Sequence, residues 1–187
     1  MRDLIVTENI TLDGVIDATE GWFNPAGDQA EVDSSDVEAA IRGQSEAADA
    51  LLLGRVTFED MRGYWPLQTD DTTGIADYLN RVSKYVVSST LQEPDWQHTI
   101  VLRGAFVDEI RDLKRKAGRD IVTTGSVTLV GDLIAAGLVD EYRLFMYPIV
   151  LGRGRRLFAD ATEVPKLRLV ETQPFRSGIV LLRYRTD

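Results

Sequence analysis

Residues 121–130 combine apolar residues, a glycine and four hydroxyl side chains, a combination that suits the binding of an anion. The pattern predicts a buried strand that ends at Gly125 and leads directly into an amphipathic helix after Ser126. The first N–H groups of a helix lack intrahelical acceptors and lie at the positive end of its dipole, so they favour a phosphate. Gly125 lets a ligand approach the backbone closely. The same pattern also occurs as plain topology, so this junction alone leaves both interpretations open.

A second strand-to-helix junction follows the apolar residues 51–53. It consists of Gly54, Arg55 and Thr57, and the guanidinium and hydroxyl groups suit a phosphate at a helix start. The alternative is an exposed arginine beside an ordinary N-cap threonine.

A third polar strand end follows the apolar residues 85–87 and consists of Ser88, Ser89 and Thr90. The carboxyl ends of strands in open α/β sheets are where ligands bind, although serine and threonine also stabilise turns without any ligand. Three such strand ends together predict a site for a nucleotide cofactor. Hydride transfer suits this site, because the cofactor supplies the reactive atom while the protein positions it and excludes water.

The periodicity of the whole chain predicts an α/β fold, with helices over about 35–48, 54–61, 74–83, 106–117 and 127–136. Strands are expected at 4–11, 51–53, 85–87, 100–102, 120–123 and 141–147. The last strands, 167–173 and 178–185, read as an antiparallel hairpin around residues 176–178. We therefore expect one domain over residues 1–187, with a central, mixed but mostly parallel sheet, flanking helices and an antiparallel C-terminal hairpin.

Composition excludes several classes of protein. The chain has no cysteine and one histidine, His98, which excludes disulfides and thiolate chemistry and predicts no metal site. Its 30 acidic and 21 basic residues give a net charge of −9, which argues against a nucleic-acid partner. No apolar run is long enough to span a membrane, and residues 1–6 lack the pattern of a signal peptide, so we expect a cytoplasmic protein with no membrane partner.

Other common catalytic motifs are absent: there is no Gly-x-Ser-x-Gly, Walker or Gly-x-Gly-x-x-Gly pattern. Trp22 and Phe23 lie in a polar stretch, residues 17–33, which either covers a site or folds back as a small separate core. Residues 148–158 form a glycine-punctuated basic loop. Its arginines, Arg153, Arg155 and Arg156, suit anion binding or a subunit contact, or are simply solvated.

Six short motifs occur in an order that resembles the dihydrofolate-reductase-like superfamily, and most closely its branch sharing the riboflavin-pathway reductase domain. They are Leu12-Asp13-Gly14, Gly54-Arg55-x-Thr57-x-Glu59, Ser88-Ser89-Thr90, Thr124-Gly125-Ser126, Leu138-Val139-Asp140-Glu141 and Pro148-x-x-Leu151-Gly152-x-Gly154. The resemblance covers nearly the whole chain. It implies a mixed sheet flanked by helices, NADPH bound across the strand ends, a small-molecule substrate and a homodimer.

The resemblance also assigns roles to individual residues. Gly54, Arg55 and Thr57 would contact the cofactor's phosphates, and Ser88, Ser89 and Thr90 would lie at its adenosine end. The pyrophosphate would be held by Gly125, Ser126, Val127 and Thr128. Asn9 and Ile16, on either side of the Leu-Asp-Gly turn, would lie near the nicotinamide.

The chemistry at the substrate is less defined than the cofactor site. The substrate acid of dihydrofolate reductases falls only approximately at Glu38, which also forms a capping box with Ser35. Asp13 is a second candidate acid, or simply part of an Asp-Gly turn, and Asp36 and Glu59 are further candidates. We therefore expect an NADPH-dependent reductase of a pteridine- or pyrimidine-like heterocycle, such as the reductase step on a phosphoribosylamino-uracil in riboflavin biosynthesis. The alternative is a nucleotide-binding protein of the same fold without turnover.

Overall fold

Eight strands form one sheet in the computed structural model, which describes residues 1–18, 21–23, 33–158 and 166–187. The strands are β1 (Leu4–Thr11), β2 (Ala48–Gly54), β3 (Ser83–Val87), β4 (Thr99–Leu102), β5 (Asp120–Thr123), β6 (Glu141–Tyr147), β7 (Leu167–Pro174) and β8 (Val180–Thr186). Their order across the sheet is β4-β3-β2-β5-β1-β6-β8-β7. The first six in this order are parallel, and β8 runs antiparallel to both β6 and β7. The predicted mostly parallel sheet with an antiparallel C-terminal hairpin is confirmed.

Helices cover both faces of this sheet. They are α1 (Ser35–Ala47), α2 (Arg55–Tyr64), α3 (Ile75–Arg81), α4 (Phe106–Arg115) and α5 (Val127–Ala135), and a short 3-10 helix, Trp65–Leu67, follows α2. Side chains alternate along each strand, so β1 sends Leu4, Val6 and Ile10 into a core shared with α4 and α5. Separate clusters lie under α2 and α3 and under α1 with the hairpin turn. The carboxyl ends of the parallel strands therefore lie along one edge of the sheet, and helices pack on both faces of the sheet.

The buried face and the C-terminal end of α5 follow from its sequence. Leu129, Val130, Leu133 and Ile134 form its buried face. Its end is a Schellman motif: the N–H of Leu138 bonds to the carbonyl of Leu133, and that of Gly137 to the carbonyl of Ile134. Gly137 has a φ of 60°, which a glycine adopts without strain. The predicted stop at Gly137 is confirmed.

The start of α1 differs from the prediction. The N-cap is Ser34 and not Ser35, and the expected capping box between Ser35 and Glu38 does not form. Instead the Ser34 hydroxyl donates to Glu38 at 3.3 Å, and Asp33 accepts from the N–H of Ser35. The prediction was wrong by one residue because three adjacent residues, 33 to 35, are all good capping residues.

The basic loop of residues 148–158 is fastened to the turn that follows β1. The Asp13 carboxylate accepts hydrogen bonds from the Thr11 hydroxyl at 2.7 Å and from the N–H groups of Leu151 and Gly152 at 3.2 and 2.8 Å. Gly154 approaches Val15 so closely that an added Cβ would come within 2.7 Å of it. The loop therefore holds the end of β1 in place.

These hydrogen bonds make Asp13 a source of pH-dependent stability. The Thr11 hydroxyl, together with the two loop N–H groups, lowers the pKa of Asp13 to about 2. A carboxyl whose pKa is depressed by folding stabilises the folded state above its unfolded pKa, and this contribution is lost as the pH falls towards the folded value. We expect Asp13→Asn to lower the melting temperature at pH 7, and the difference from wild type to vanish near pH 2.

Thermal unfolding of both proteins from neutral to acid pH measures this effect. Asp70→Asn is a matched control, because Asp70 is exposed on a different part of the surface. A melting-temperature difference that stayed constant down to pH 2 would contradict the assignment of the effect to the Asp13 charge.

Candidate cofactor and active site

The two strand-to-helix junctions predicted to bind phosphate are bonded directly to each other. β5 lies between β2 and β1, and Thr123 is level with Leu52 on one side and Val6 on the other. Two residues further along these strands lie Gly54, Gly125 and Glu8. The N–H of Gly54 donates to Ser126 Oγ at 3.0 Å, and the N–H of Ser126 donates to Thr57 Oγ1 at 3.0 Å. The structure thus brings the predicted residues of both junctions together.

The backbone at the junction between β5 and α5 has an unusual conformation. Gly125 has a φ of 69°, and a Cβ there would lie 3.1 Å from the Thr57 methyl group. Ser126 also has a positive φ, 25°, which is uncommon for a residue other than glycine. Ser126 is buried, and its two hydrogen bonds to Gly54 and Thr57 hold it in this conformation.

Both helix starts keep their backbone donors available. Within the described ranges no side chain caps α2 or α5. The first-turn N–H groups of α5, including those of Val127 and Thr128, lack intrahelical acceptors. Together with the α2 start they form a set of uncharged donors at the carboxyl ends of β2 and β5, which is suited to a diphosphate.

Two arginines lie towards the β4 side of the edge that is formed by the carboxyl ends of the parallel strands. Gly54 is level with Val87 on β3, and Val87 is level with Leu102 on β4. The next residues along these three strands are Arg55, Ser88 and Arg103. Arg55 is about half exposed and forms an ion pair of 2.6 Å with Glu59, one turn along α2. The sequence analysis missed Arg103, although a register argument from the apolar strand before it would have placed it beside Ser88.

The three hydroxyl residues after β3 form a turn. The Ser88 hydroxyl accepts hydrogen bonds from the N–H groups of Thr90 and Leu91, at 3.1 and 3.0 Å. Arg103 donates to the carbonyls of Ser89 and Leu91. Ser88 is therefore committed to turn chemistry, the alternative left open above, while Ser89 and Thr90 are exposed at the carboxyl edge. A role for them at the adenosine end stays a prediction.

Glu8 is the site residue that the sequence analysis did not identify. It lies on β1 and is 3% exposed, with Oε2 accepting a hydrogen bond from the N–H of Gly125 at 3.1 Å. Its other oxygen, Oε1, is buried without a partner among the described residues. Burial raises the pKa of Glu8 well above its usual value. The sequence signal that could have identified it is the alternation of side chains along β1. This alternation places Glu8 on the same face as Val6 and Ile10, which are both buried.

Asn9 and Ile16 lie at the β1 end of the edge, as expected for residues flanking the turn. Asn9 points to the opposite face from Glu8 and is level with Phe145 on β6. On that face Trp22 and Phe23 pack edge-on against Tyr147, with ring centroids 5.3 and 5.8 Å away. The two aromatics thus fold back onto the core near Asn9, whereas Ile16 is buried in the core under α5.

The acids proposed from the sequence are each bonded to partners within the chain. Asp13 has a pKa of about 2 and bonds the basic loop. Asp36 accepts from the N–H and guanidinium of Arg176, and these bonds lower its pKa. Glu38 is exposed on α1 and bonded to Ser34, and Glu59 is paired with Arg55. The geometry argues against Asp13 as a proton donor and leaves a catalytic role for Glu38 a prediction.

The arginines of the basic loop have partners within the chain. Arg155 pairs with Asp17 at 3.3 Å, and Arg156 donates to the Asp13 carbonyl at 2.9 Å. Val15 and Arg156 form a backbone bridge. The loop therefore contacts the turn after β1, and the remaining exposed parts of the arginine side chains could still meet a substrate anion or a second subunit.

A separate cleft lies away from this edge. It has a volume of about 610 Å³ between α1 and α3, and its lining includes Glu38, Arg42, Asp49 and Arg81. None of the residues at the two phosphate junctions lines it, and mixed charges along its walls give no single ligand preference. In the part of the chain that the structure describes, no group of acidic or histidine residues could hold a metal ion, and no helix is long and apolar enough to cross a membrane.

Comparisons with known proteins agree with this architecture. The uncharacterized protein YyaP of Bacillus subtilis (strain 168) is 33% identical over 187 residues, covering 98% of this chain and 94% of that protein. A crystal structure from Shewanella sp. PV-4, provisionally assigned to riboflavin biosynthesis, superposes with a TM-score of 0.73 at 21% identity over 99% of both chains. Dihydrofolate reductase from Enterococcus faecalis, complexed with NADP(H), superposes with a TM-score of 0.63 at 20% identity, covering 99% and 96% of the two chains.

A family profile gives the assignment. The profile described as the RibD C-terminal domain matches residues 2–181, almost the whole chain. The solved structures share the fold, and YyaP passes the level of identity at which a family relationship is secure. The chain therefore belongs to the RibD C-terminal domain family and has its reductase-like, dihydrofolate-reductase-like fold.

Proposed function

We propose that the protein is an NADPH-dependent reductase that transfers a hydride to a C=N or C=O group of a small pteridine- or pyrimidine-like heterocycle. The observation that carries the proposal is the direct bonding of the two junctions, Gly54 to Ser126 and Ser126 to Thr57. This bonding aligns two helix starts at the carboxyl ends of adjacent parallel strands, where nucleotides bind in open α/β sheets.

The distribution of charge along this edge fits a dinucleotide with an extra phosphate. Arg55 and Arg103 lie at the β2–β4 end and suit the 2′-phosphate that distinguishes NADPH from NADH. The uncharged N–H groups of the two junctions suit the diphosphate. Asn9, at the β1 end, offers an amide that can both donate to and accept from a carboxamide.

The bound cofactor would supply the hydride, and the chain's own residues would bind, orient and exclude water. Near Asn9 the rings of Trp22, Phe23 and Tyr147 provide apolar surfaces for a flat heterocycle. Such a surface favours a planar substrate and keeps water from the reacting atoms. The accompanying proton is supplied by a group other than Asp13, which is ionised at neutral pH.

We extend the proposal to the cellular location, the oligomeric state and the substrate of the enzyme. The absence of cysteine is compatible with a cytoplasmic enzyme. The homodimer and the free small-molecule substrate are what the family resemblance implies. The riboflavin-pathway reductase reaction is the first to test, because the family profile is named after that pathway's reductase domain.

Binding and turnover of NADPH test the proposal together. NADPH at about 100 times its dissociation constant should add about 2.7 kcal/mol to the free energy of unfolding. Oxidation of NADPH should then be followed by absorbance with a panel of pteridines and aminouracil ribose phosphates. Binding without turnover by any of them would favour the alternative of a nucleotide-binding protein. No thermal shift and no calorimetric heat at millimolar NADPH would remove the cofactor assignment.

Arg55 should determine the preference for NADPH over NADH. A charge-assisted contact to the 2′-phosphate is worth about 1.5 to 3 kcal/mol, or about 10- to 150-fold in affinity. We expect Arg55→Ala to weaken NADPH by this factor and NADH much less, with a smaller loss at high salt. Glu59→Gln should strengthen NADPH, because it removes the carboxylate that competes for Arg55.

Dissociation constants for both cofactors at two salt concentrations measure this preference. The same dissociation constants for Arg103→Ala provide a comparison, because Arg103 lies at the same carboxyl edge of the sheet. Equal losses of NADH and NADPH in Arg55→Ala would mean that Arg55 supports the shape of the site and does not bind the 2′-phosphate.

Thr57 should contribute both to the stability of the protein and to its affinity for the cofactor. Thr57→Val keeps the side-chain shape but leaves the buried N–H of Ser126 without an acceptor, which costs about 1 to 3 kcal/mol of stability. We expect this variant to melt earlier and to bind NADPH at least about tenfold more weakly. Thr57→Ser retains the acceptor and should behave like wild type in both calorimetry and thermal unfolding. A Thr57→Val protein that bound NADPH normally would show that the junction geometry does not depend on this hydrogen bond.

A further inference from the structure

Glu8 presents a buried carboxyl that the proposed reaction does not use. It lies in the apolar core beneath α5, with one oxygen bonded to the N–H of Gly125 and the other without a partner in the described part of the chain. Gly125 belongs to the junction that would hold the cofactor diphosphate. A negative charge at Glu8 would therefore lie directly behind a site built for another anion, in surroundings that screen it weakly.

Among the residues that the structure describes, the elements packed around Glu8 place no unpaired cation beside it. Lys114 of α4, whose Ile110 and Leu113 share the same core, donates to the Leu138 carbonyl and pairs with Asp140. β6 contributes Leu144 beside it, and the titratable group nearest on that strand's same face is Tyr142, whose pKa burial raises to about 12. β5 contributes Thr123, the turn after it contributes Gly125, and the one titratable residue of α5, Asp132, is exposed. Asp13 and Arg156 lie beyond the end of β1 and pair with each other.

We propose that the site at the start of α5 binds its diphosphate ligand with Glu8 in the neutral, protonated form, so that ligand binding and protonation of Glu8 are coupled. The inference rests on the proposed function, because the diphosphate is that of the nicotinamide cofactor. In the neutral form Oε2 still accepts from Gly125, and Oε1 carries the proton without adding a charge. Glu8 is thus a positioning residue that acts on the ligand through the Gly125 loop.

The protein without ligand provides the first test. Because burial raises the pKa of Glu8, the folded state keeps a proton that the unfolded chain releases at lower pH. The stability of wild type must then fall with rising pH from about the usual glutamate pKa upward. Glu8→Gln mimics the neutral carboxyl and should lack this decline, so it should melt later than wild type at pH 8 and similarly at pH 4.

Binding of NADH provides the second test. NADH is the chosen probe because its diphosphate does not titrate near neutral pH, whereas the 2′-phosphate of NADPH does, with a pKa near 6. Wild-type affinity should fall by up to about tenfold per pH unit above the pKa of Glu8. Calorimetry in buffers of different ionisation enthalpy should show uptake of up to one proton per NADH. Glu8→Gln should bind with no pH dependence and no proton uptake.

Thr123→Val is the matched control. Thr123 also has a buried hydroxyl with no partner among the described residues, on the same face of the sheet as Glu8, but it carries no charge. This variant should keep the wild-type pH dependence in both tests.

The outcomes separate the two proposals. The coupling is supported if only Glu8→Gln loses both the pH dependence and the proton uptake. It is overturned, with the cofactor assignment intact, if wild type and Glu8→Gln bind NADH with the same pH profile or melt alike at pH 8. If neither NADH nor NADPH binds to any variant at any pH, the proposed function fails and the coupling fails with it.

Discussion

The pair of hydrogen bonds around Ser126 is the constraint on which the candidate site depends. The Ser126 hydroxyl accepts from Gly54 while its own N–H donates to Thr57, so one residue joins the starts of α2 and α5. Each bond alone contributes little, since a typical intramolecular hydrogen bond is worth about 1 kcal/mol. Their combined effect is geometric, because Ser126 is held at a positive φ that a serine seldom adopts. Without these bonds the two sets of helix N–H groups would have no fixed relation to each other.

The sequence predicted the elements well because their signals are local and repeated. Apolar runs of strand length and helical periodicity placed all eight strands and five helices, and Gly137 marked the end of α5 through its required backbone conformation. The start of α1 was placed less well, since adjacent capping residues compete and the Ser35 hydroxyl is bonded by Arg176, about 140 residues away. Local patterns carry no record of such distant partners.

The residues of the candidate site also divide into those that a local pattern identified and those that it did not. Gly54, Thr57, Gly125 and Ser126 were identified because glycine and hydroxyl residues after a strand have a specific local meaning. Arg103 and Glu8 were missed because no local motif marks them, and their significance comes from the alternation of side chains and the register of neighbouring strands. Asp13 was predicted either as a candidate acid or as part of an Asp-Gly turn, and its carboxylate bonds the loop that contains Gly152, a distant partner that neither interpretation included.

The edge of the sheet is ordered by charge in a way that explains how an acidic protein could bind an anionic cofactor. The net charge of −9 opposes any approach of a phosphate, so the attraction must be local. At the β4 and β2 ends it comes from Arg103 and Arg55, and in the middle from backbone dipoles, which do not add to the net charge. At the β1 end the carboxyl of Glu8 is buried in apolar surroundings, where the neutral form is favoured. A dinucleotide laid along this edge would meet cations, then dipoles, then uncharged groups, and this sequence of environments matches a chain of phosphates that ends in a heterocycle.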